Sequence, residues 1–347
     1  MQALILVGGE GTRLRPLTST MPKPIVPLVD RPFMAFMLEW LTRHGVDDVI
    51  MSCGFLATQM REVLGDGSAY GVRLRFVEEP EPRGTAGALK YAEELIEGRF
   101  LMLNGDVLSD MDLSAQLARH ERTGAVGTLA LTPVEDPSAY GLVRTEADGA
   151  VREFVEKPPA AEIDTNLISA GAYVLERSVL DLIPADRNVS IEREVWPLLV
   201  GQGLYAYAHQ DAYWLDIGTP AMYLRATYDI LEGRVETSAA RLGGTAVGDG
   251  AVVAPDAEVS LSVLGPGVRV GAGSRIERSA VLGGAQIGAG CVVTDAIVGL
   301  GARIGDGTTV ADGAVLGEAV TVGADNVLAR GIRVFPEAVI GDGAIRF

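Results

Sequence analysis

A glycine-rich stretch, Gly8–Gly9–Glu10–Gly11–Thr12–Arg13, follows directly on the apolar run Ala3–Val7 and precedes Pro22–Lys23–Pro24. Glycines where a strand ends leave backbone N–H groups open to phosphate oxygens that a Cβ would hold off. Arg13 and Lys23 add positive charge to the same stretch, one as a planar fork and one as a compact ammonium. These residue types in this order suit a phosphate-bearing anion, whereas the glycines alone would equally suit a tight turn. The spacing is neither that of a dinucleotide-binding turn nor that of a P-loop. Of 29 basic residues only Lys23, Lys90 and Lys157 are lysines. In so arginine-rich a chain, a retained lysine either marks a place for a compact ammonium or simply remains by chance.

The elements that must hold these residues alternate. Gln2–Val7, Val46–Ser52, Val72–Val77, Phe100–Leu103 and Val126–Leu131 read as strands, and Phe33–Arg43, Phe55–Leu64, Thr85–Glu97 and Leu113–Arg122 as helices. This alternation predicts an α/β fold with a Rossmann-like, mainly parallel sheet and helices on both faces, which binds ligands at the carboxyl ends of its strands. Asp106 lies just past one such end. A last helix, Pro220–Glu232, leads into a polar joint at Gly233–Leu242.

Beyond the joint the period changes to six. Aliphatic residues recur at Val247, Val253, Val259, then Leu264, Val270, Ile276, Leu282, then Ile287, Val293, and from Val298 to Ile340 without a break. Five-residue steps separate the runs and imply shortened corners. Hexapeptide repeats carrying one buried aliphatic predict a C-terminal left-handed parallel β-helix. The expected domains are 1–235, the α/β domain, and 243–347, the β-helix.

Composition narrows the function. A net charge of −17 argues against nucleic acid and against an anionic membrane. No apolar run approaches the roughly 20 residues of a membrane span. Cys53 and Cys291 lack metal-ligand spacing and fit a reducing compartment. With no signal segment evident at the N-terminus, the expected location is cytoplasmic.

The stretch GGxGTRLxPLT followed by PKP resembles the sugar nucleotide pyrophosphorylases, the sugar-1-phosphate nucleotidylyltransferases. The resemblance runs on through Gly84–Thr85–Ala86–Gly87, Asn104–Gly105–Asp106, Tyr140–Gly141, Glu156–Lys157–Pro158, Asn166, Ala170–Gly171 and Trp214–Leu215–Asp216. Within that family, the segments GTAGAL, SIEREVWP and YWLDIGTP look most like the mannose-1-phosphate guanylyltransferases. The resemblance implies nucleotidyl transfer from an NTP to a sugar 1-phosphate, with GTP and mannose 1-phosphate as the best-matching pair. It assigns the nucleotide to Leu6, Gly8, Gly9, Gly11, Thr12, Arg13, Lys23, Gly84, Thr85 and Asp106. Mg²⁺ falls to Asp106 and Asp216, which with Arg13 and Lys23 are the implied catalytic residues. Lys157 would grip the sugar phosphate, Glu156 would accept from sugar hydroxyls, and Tyr140, Gly141, Asn166 and Gly171 would shape the sugar pocket. No protein nucleophile is needed, because a sugar phosphate oxygen is already anionic.

Glu79 is the candidate reader of the base, with Glu81 as its substitute and an acidic loop simply facing water as the plain alternative. Guanine offers two adjacent donors, N1–H and the 2-amino group, which suit a carboxylate, whereas uracil and thymine flank one donor with two carbonyls. Thymidylyl or uridylyl transfer to glucose 1-phosphate is the alternative within the class. A non-catalytic sugar-nucleotide-binding paralogue is the alternative outside it. An acyltransferase β-helix would need a histidine base, and residues 210–347 contain none. The β-helix is therefore expected to assemble the chain into a homo-oligomer.

Overall fold

The computed structural model describes residues 1–54, 57–239 and 244–346. Phe55 and Leu56, which open the helix expected over Phe55–Leu64, lie outside the described residues, as do 240–243 of the joint and residue 347. The chain gathers into two compact units, Met1–Gly9 with Met37–Trp214 and Glu10–Phe36 with Leu215–Phe347. It passes from the first unit to the second inside the glycine loop, after Gly9, returns after Phe36, and passes over again after Trp214.

The first unit is built on a nine-stranded sheet. Its strands are β1 (Gln2–Leu6), β2 (Asp48–Cys53), β3 (Arg73–Glu78), β4 (Phe100–Asn104), β5 (Gly127–Pro133), β6 (Gly141–Thr145), β7 (Val151–Glu156), β8 (Leu167–Leu175) and β9 (Leu204–Ala208). Strands β3, β2, β1 and β4 lie side by side and parallel, as the alternation predicts. Leu4, Ile5, Ile50, Leu101 and Met102 along them are fully buried, the mark of strands covered on both faces. Beyond β4 the sheet turns antiparallel, because β8 runs against β4, β5 and β6. The exception is β9, which pairs parallel with β5.

Helix α1 spans Phe33–Arg43 as expected, and the described part of α2 is Ala57–Leu64. Helix α3 is shorter than its apolar pattern, covering Gly84–Tyr91 before a tight turn at Glu93–Leu95. The Ala92 N–H shares the Ala88 and Leu89 carbonyls there, which winds the helix down. Helix α4 (Leu113–Thr123) starts where the Asp112 carboxylate accepts from Ala115 N–H at 2.9 Å and stops at Gly124. A short α5 occupies Trp196–Leu199.

In the second unit, α6 (Pro220–Leu231) is capped by Thr219 with Pro220 in its first turn. The repeats form three parallel sheets of two- and three-residue strands, consistent with the left-handed β-helix. Their aliphatic residues fill one continuous core from Leu264 to Val334. Each side chain so buried contributes about 1.5–3 kcal/mol of transfer free energy. One corner differs from the sequence expectation. Val281, not Leu282, pairs with Leu264 and Val298. The short step therefore runs from Ile276 to Val281, in line with those at Val259–Leu264 and Val293–Val298. Stacked coils must shorten at the same corner to keep their sheets in register, and the aliphatic pattern at 281 and 282 fits either choice.

No helix among the described residues is long and apolar enough to cross a membrane. Among the histidines, His120 is buried between Thr128 Oγ1 at 2.9 Å and Glu176 Oε1 at 3.2 Å, and burial pushes its imidazole down.

Candidate active site

Within the second unit, Arg13, Lys23 and Asp216 meet. The Asp216 carboxylate lies 4.0 Å from Arg13 Nη2 through one oxygen and 4.0 Å from Lys23 Nζ through the other. Arg13 reaches outward, 68% exposed, whereas the Lys23 side chain is only 10% exposed. Gly11 makes the turn possible. Its φ of 62° is left-handed, and a Cβ would fall 3.2 Å from Thr18 Cγ2. The Thr18 hydroxyl closes the turn by donating to the Gly11 carbonyl at 2.7 Å. Thr12 opens the short helical turn Thr12–Leu14 and is exposed. Gly218 has a different duty, since a Cβ there would stand 2.9 Å from Arg13 Nη2 and 3.1 Å from its Cζ. Only glycine leaves the guanidinium where it is.

In the first unit the strand ends carry the remaining candidates. Leu6 closes β1, and its carbonyl accepts from Gly105 N–H at 2.9 Å. Asp106 follows β4, half-buried. Gly8 and Gly9 are exposed, and nothing lies within 4 Å of a Cβ placed on Gly9. A Cβ on Gly8 would sit 3.8 Å from Glu79 Oε1, so the base-reading candidate borders the glycine loop. Glu79 is itself held, by Ser52 Oγ–H to Oε1 at 2.9 Å and by Arg83 N–H to Oε2 at 3.3 Å. Both oxygens are thereby aimed. Gly84 starts α3 against Val189, whose carbonyl oxygen a Cβ would approach to 2.6 Å. The Thr85 hydroxyl donates to Glu192 at 2.8 Å and accepts from Ile191 N–H at 2.8 Å.

The sugar-side candidates cluster on the antiparallel strands. Gly141 stands opposite Glu156 in the β6–β7 register, and a Cβ would run into the Phe154 ring. Tyr140 meets Trp214 edge to face at 5.4 Å, and the Trp214 indole donates to the Ala170 carbonyl at 2.9 Å. Lys157 is held in the left-handed region, φ 52°, with its N–H on the Tyr140 carbonyl. A lysine in that conformation carries strain of the kind found where a side chain must be aimed. Its Nζ lies 4.0 Å from Glu156 Oε1. Burial raises the Glu156 carboxyl, and the Glu192 charge raises it further, while Lys157 and Arg193 pull it back. Gly171 sits at the bulge in β8, where φ is 74° and a Cβ would strike Asn104. Asn166 is exposed just before β8, its carbonyl accepting from Val134 N–H.

The sequence reading did not single out Glu192, Gly218 or Gly54, whose Cβ would fall 3.1 Å from the Gly8 carbonyl. The first two lie inside quoted motif segments, which was the only signal they gave. Among the described residues no group of three or more His, Cys, Asp or Glu side chains is placed to hold a metal. Two carboxylates can still suit Mg²⁺, which takes its other ligands from phosphates and water.

Residues 2–233 match the Nucleotidyl transferase family and residues 242–344 the GMPPB C-terminal domain. The chain is 41% identical over 265 residues to a mannose-1-phosphate guanylyltransferase of Mycobacterium tuberculosis, covering 74% of this chain and 72% of that protein. It is 38% identical over 266 residues to the mannose-1-phosphate guanylyltransferase catalytic subunit beta of Danio rerio, covering 73% of each. The crystal structure of HddC from Yersinia pseudotuberculosis complexed with GMP-PN superposes with a TM-score of 0.57 at 29% identity, covering 66% of this chain and 99% of that one.

Proposed function

We propose, on the premise that the chain belongs to the Nucleotidyl transferase family matched over residues 2–233, that it makes a nucleoside diphosphate sugar. The protein is a sugar-1-phosphate nucleotidyltransferase, with GTP and mannose 1-phosphate the favoured pair. The observation that carries the reading is the meeting of Arg13, Lys23 and Asp216, with Gly218 clearing the space the guanidinium occupies.

In the reaction, a phosphate oxygen of the sugar 1-phosphate attacks the α-phosphorus of the NTP. The new P–O bond forms in line with the breaking bond to the β-phosphate, and pyrophosphate leaves with the electron pair. Both reactants are anions, so the barrier is largely electrostatic. Arg13 and Lys23 supply fixed positive charge to the nucleotide phosphates, and Lys157 does so for the sugar phosphate. Glu156, hydrogen-bonded to sugar hydroxyls, orients the acceptor. Asp106 and Asp216 would hold Mg²⁺, which when bound neutralises phosphate charge. Glu79 reads the base.

Two further parts of the reading concern organisation. Residues 1–235 form the catalytic domain and 243–347 a β-helix domain that joins copies of the chain. Val252, Phe335 and Val339 on the β-helix are large apolar residues left exposed, 78% in the case of Val339. A monomer at micromolar concentration in sedimentation would remove the assembly role. The compartment is the cytoplasm, where two buried thiols such as Cys53 and Cys291 stay reduced.

The test of function is pyrophosphate release by the purified chain with Mg²⁺, across GTP, UTP, dTTP and ATP, each with mannose or glucose 1-phosphate. Release that is fastest with GTP and mannose 1-phosphate is expected. No release with any pair would overturn the reading.

A further inference from the structure

The glycine loop offers its N–H groups to a ligand only if its carbonyls are turned elsewhere. The Gly11 carbonyl takes Leu14 N–H and the Thr18 hydroxyl, and the Thr12 carbonyl takes Arg15 N–H. Two of the acceptors that follow, the carbonyls of Arg13 and Arg15, are both bound by one guanidinium nitrogen. Arg333 Nη1 donates to Arg13 O at 3.1 Å and to Arg15 O at 3.0 Å. Arg333 lies in the last described coil of the β-helix, 320 residues along the chain from Arg13.

The column in which Arg333 stands makes the placement specific. In that sheet the register runs Ala246, Val263, Ala280, Ile297, Val315, Arg333. The first five are apolar and buried, and the charge appears only where the column reaches the loop. Arg269, Arg275 and Arg303 precede their aliphatics in the same way but belong to the other two sheets. Helix α6 braces the same assembly. Tyr223 donates its hydroxyl to the Pro27 carbonyl, and Tyr228 donates to the Arg278 carbonyl of the β-helix.

We propose that Arg333 is a positioning residue for nucleotidyl transfer, clamping the loop carbonyls so that Arg13 and the loop N–H groups face the NTP phosphates. The β-helix thus contributes to the chemistry through the loop it holds as well as through assembly. This inference rests on the function proposed above, and the experiment separates the two. Steady-state kinetics with GTP and mannose 1-phosphate would compare wild type, Arg333→Met, Arg333→Lys, Arg13→Ala and the double variant Arg13→Ala/Arg333→Met. Methionine keeps the length of the stem and removes the donors. Arg333→Met is expected to lower kcat/KM for GTP about tenfold, with KM for the sugar phosphate within about twofold of wild type. The lysine variant should recover part of the loss. In the Arg13→Ala background, Arg333→Met should cost less than about twofold, because residues acting through one another are not additive. Multiplying effects, or a loss matched by a fall in thermal midpoint, would overturn the clamp. If wild type turns over no NTP, the functional reading falls, and the clamp is judged by hydrogen exchange. Leu14 and Arg15 amides should exchange faster in Arg333→Met than in wild type, and equal rates would overturn it.

Discussion

Gly218→Ala is the sharpest perturbation the site offers, because it displaces Arg13 without touching it chemically. The added Cβ would stand 2.9 Å from Nη2, whereas ordinary contacts begin at 3.4 Å, so the guanidinium must retreat by about 0.5 Å. The retreat costs little stability, since the atom that moves is the far end of a side chain that is 68% exposed, and Gly218 does not use a left-handed φ. Folding free energy should stay within about 0.5 kcal/mol of wild type. The effect on chemistry is larger. At an effective dielectric of about 20, a unit charge pair is worth about 4 kcal/mol at 4 Å and loses roughly 0.5 kcal/mol over the next half ångström. Losing the hydrogen bond from Arg13 to a phosphate oxygen adds about 1.5 kcal/mol at the low end for charged partners. The sum of about 2 kcal/mol predicts a fall in kcat/KM for GTP of roughly thirtyfold. The assay is pyrophosphate release at saturating sugar phosphate, with thermal denaturation alongside. Activity within about threefold of wild type would refute the argument, because Arg13 would then not need the place that Gly218 leaves open.

Three other substitutions probe separate parts of the reading. Asp106→Asn should fold normally, by circular dichroism and thermal midpoint, yet lose nearly all pyrophosphate release, since an amide is a far poorer Mg²⁺ ligand than a carboxylate. Near-normal turnover would remove Asp106 from the metal assignment. Glu79→Gln should move the ratio of GTP to UTP turnover toward the pyrimidine by about tenfold to a hundredfold, and an unchanged ratio would show that Glu79 does not read the base. His209 reports on pH. Burial pushes its imidazole down to about 4, while an unfolded histidine titrates near 6.5. Between those values the unfolded chain holds the extra proton, so stability is complete above about pH 6.5 and drains as pH falls toward 4, by about 3 kcal/mol at most. His209→Phe keeps a ring against Tyr207 and should flatten that slope in urea titrations between pH 7 and 4.5. Equal slopes for the two proteins would show that His209 does not titrate on unfolding.

Much of this protein was legible because its signals are local. The period of six announced the β-helix, since each aliphatic reports only its own coil. The run of glycines before Arg13 announced a tight turn, which Gly11 makes at a φ of 62°, and the alternation of strands and helices announced the parallel strands β1 to β4. Other features were decided in three dimensions. The antiparallel half of the sheet is fixed by the pairing of β8 with strands on either side of it, which leaves no period of its own. Val281 was chosen over Leu282 by the stacking of neighbouring coils. Glu192 became part of the sugar-side cluster only when the turn bearing it packed on α3. Gly218 looks like any glycine after a strand until the Arg13 guanidinium lies over it. Arg333 repeats the arginine–aliphatic pattern of Arg269 and Arg303, and nothing within its own coil distinguishes it. What distinguishes it is a pair of carbonyls more than 300 residues earlier in the chain. A sequence encodes the conformation of each short segment through the propensities and periods of that segment. Which distant backbone oxygen an arginine meets depends on the summed packing of every element between them, and only the folded chain performs that sum.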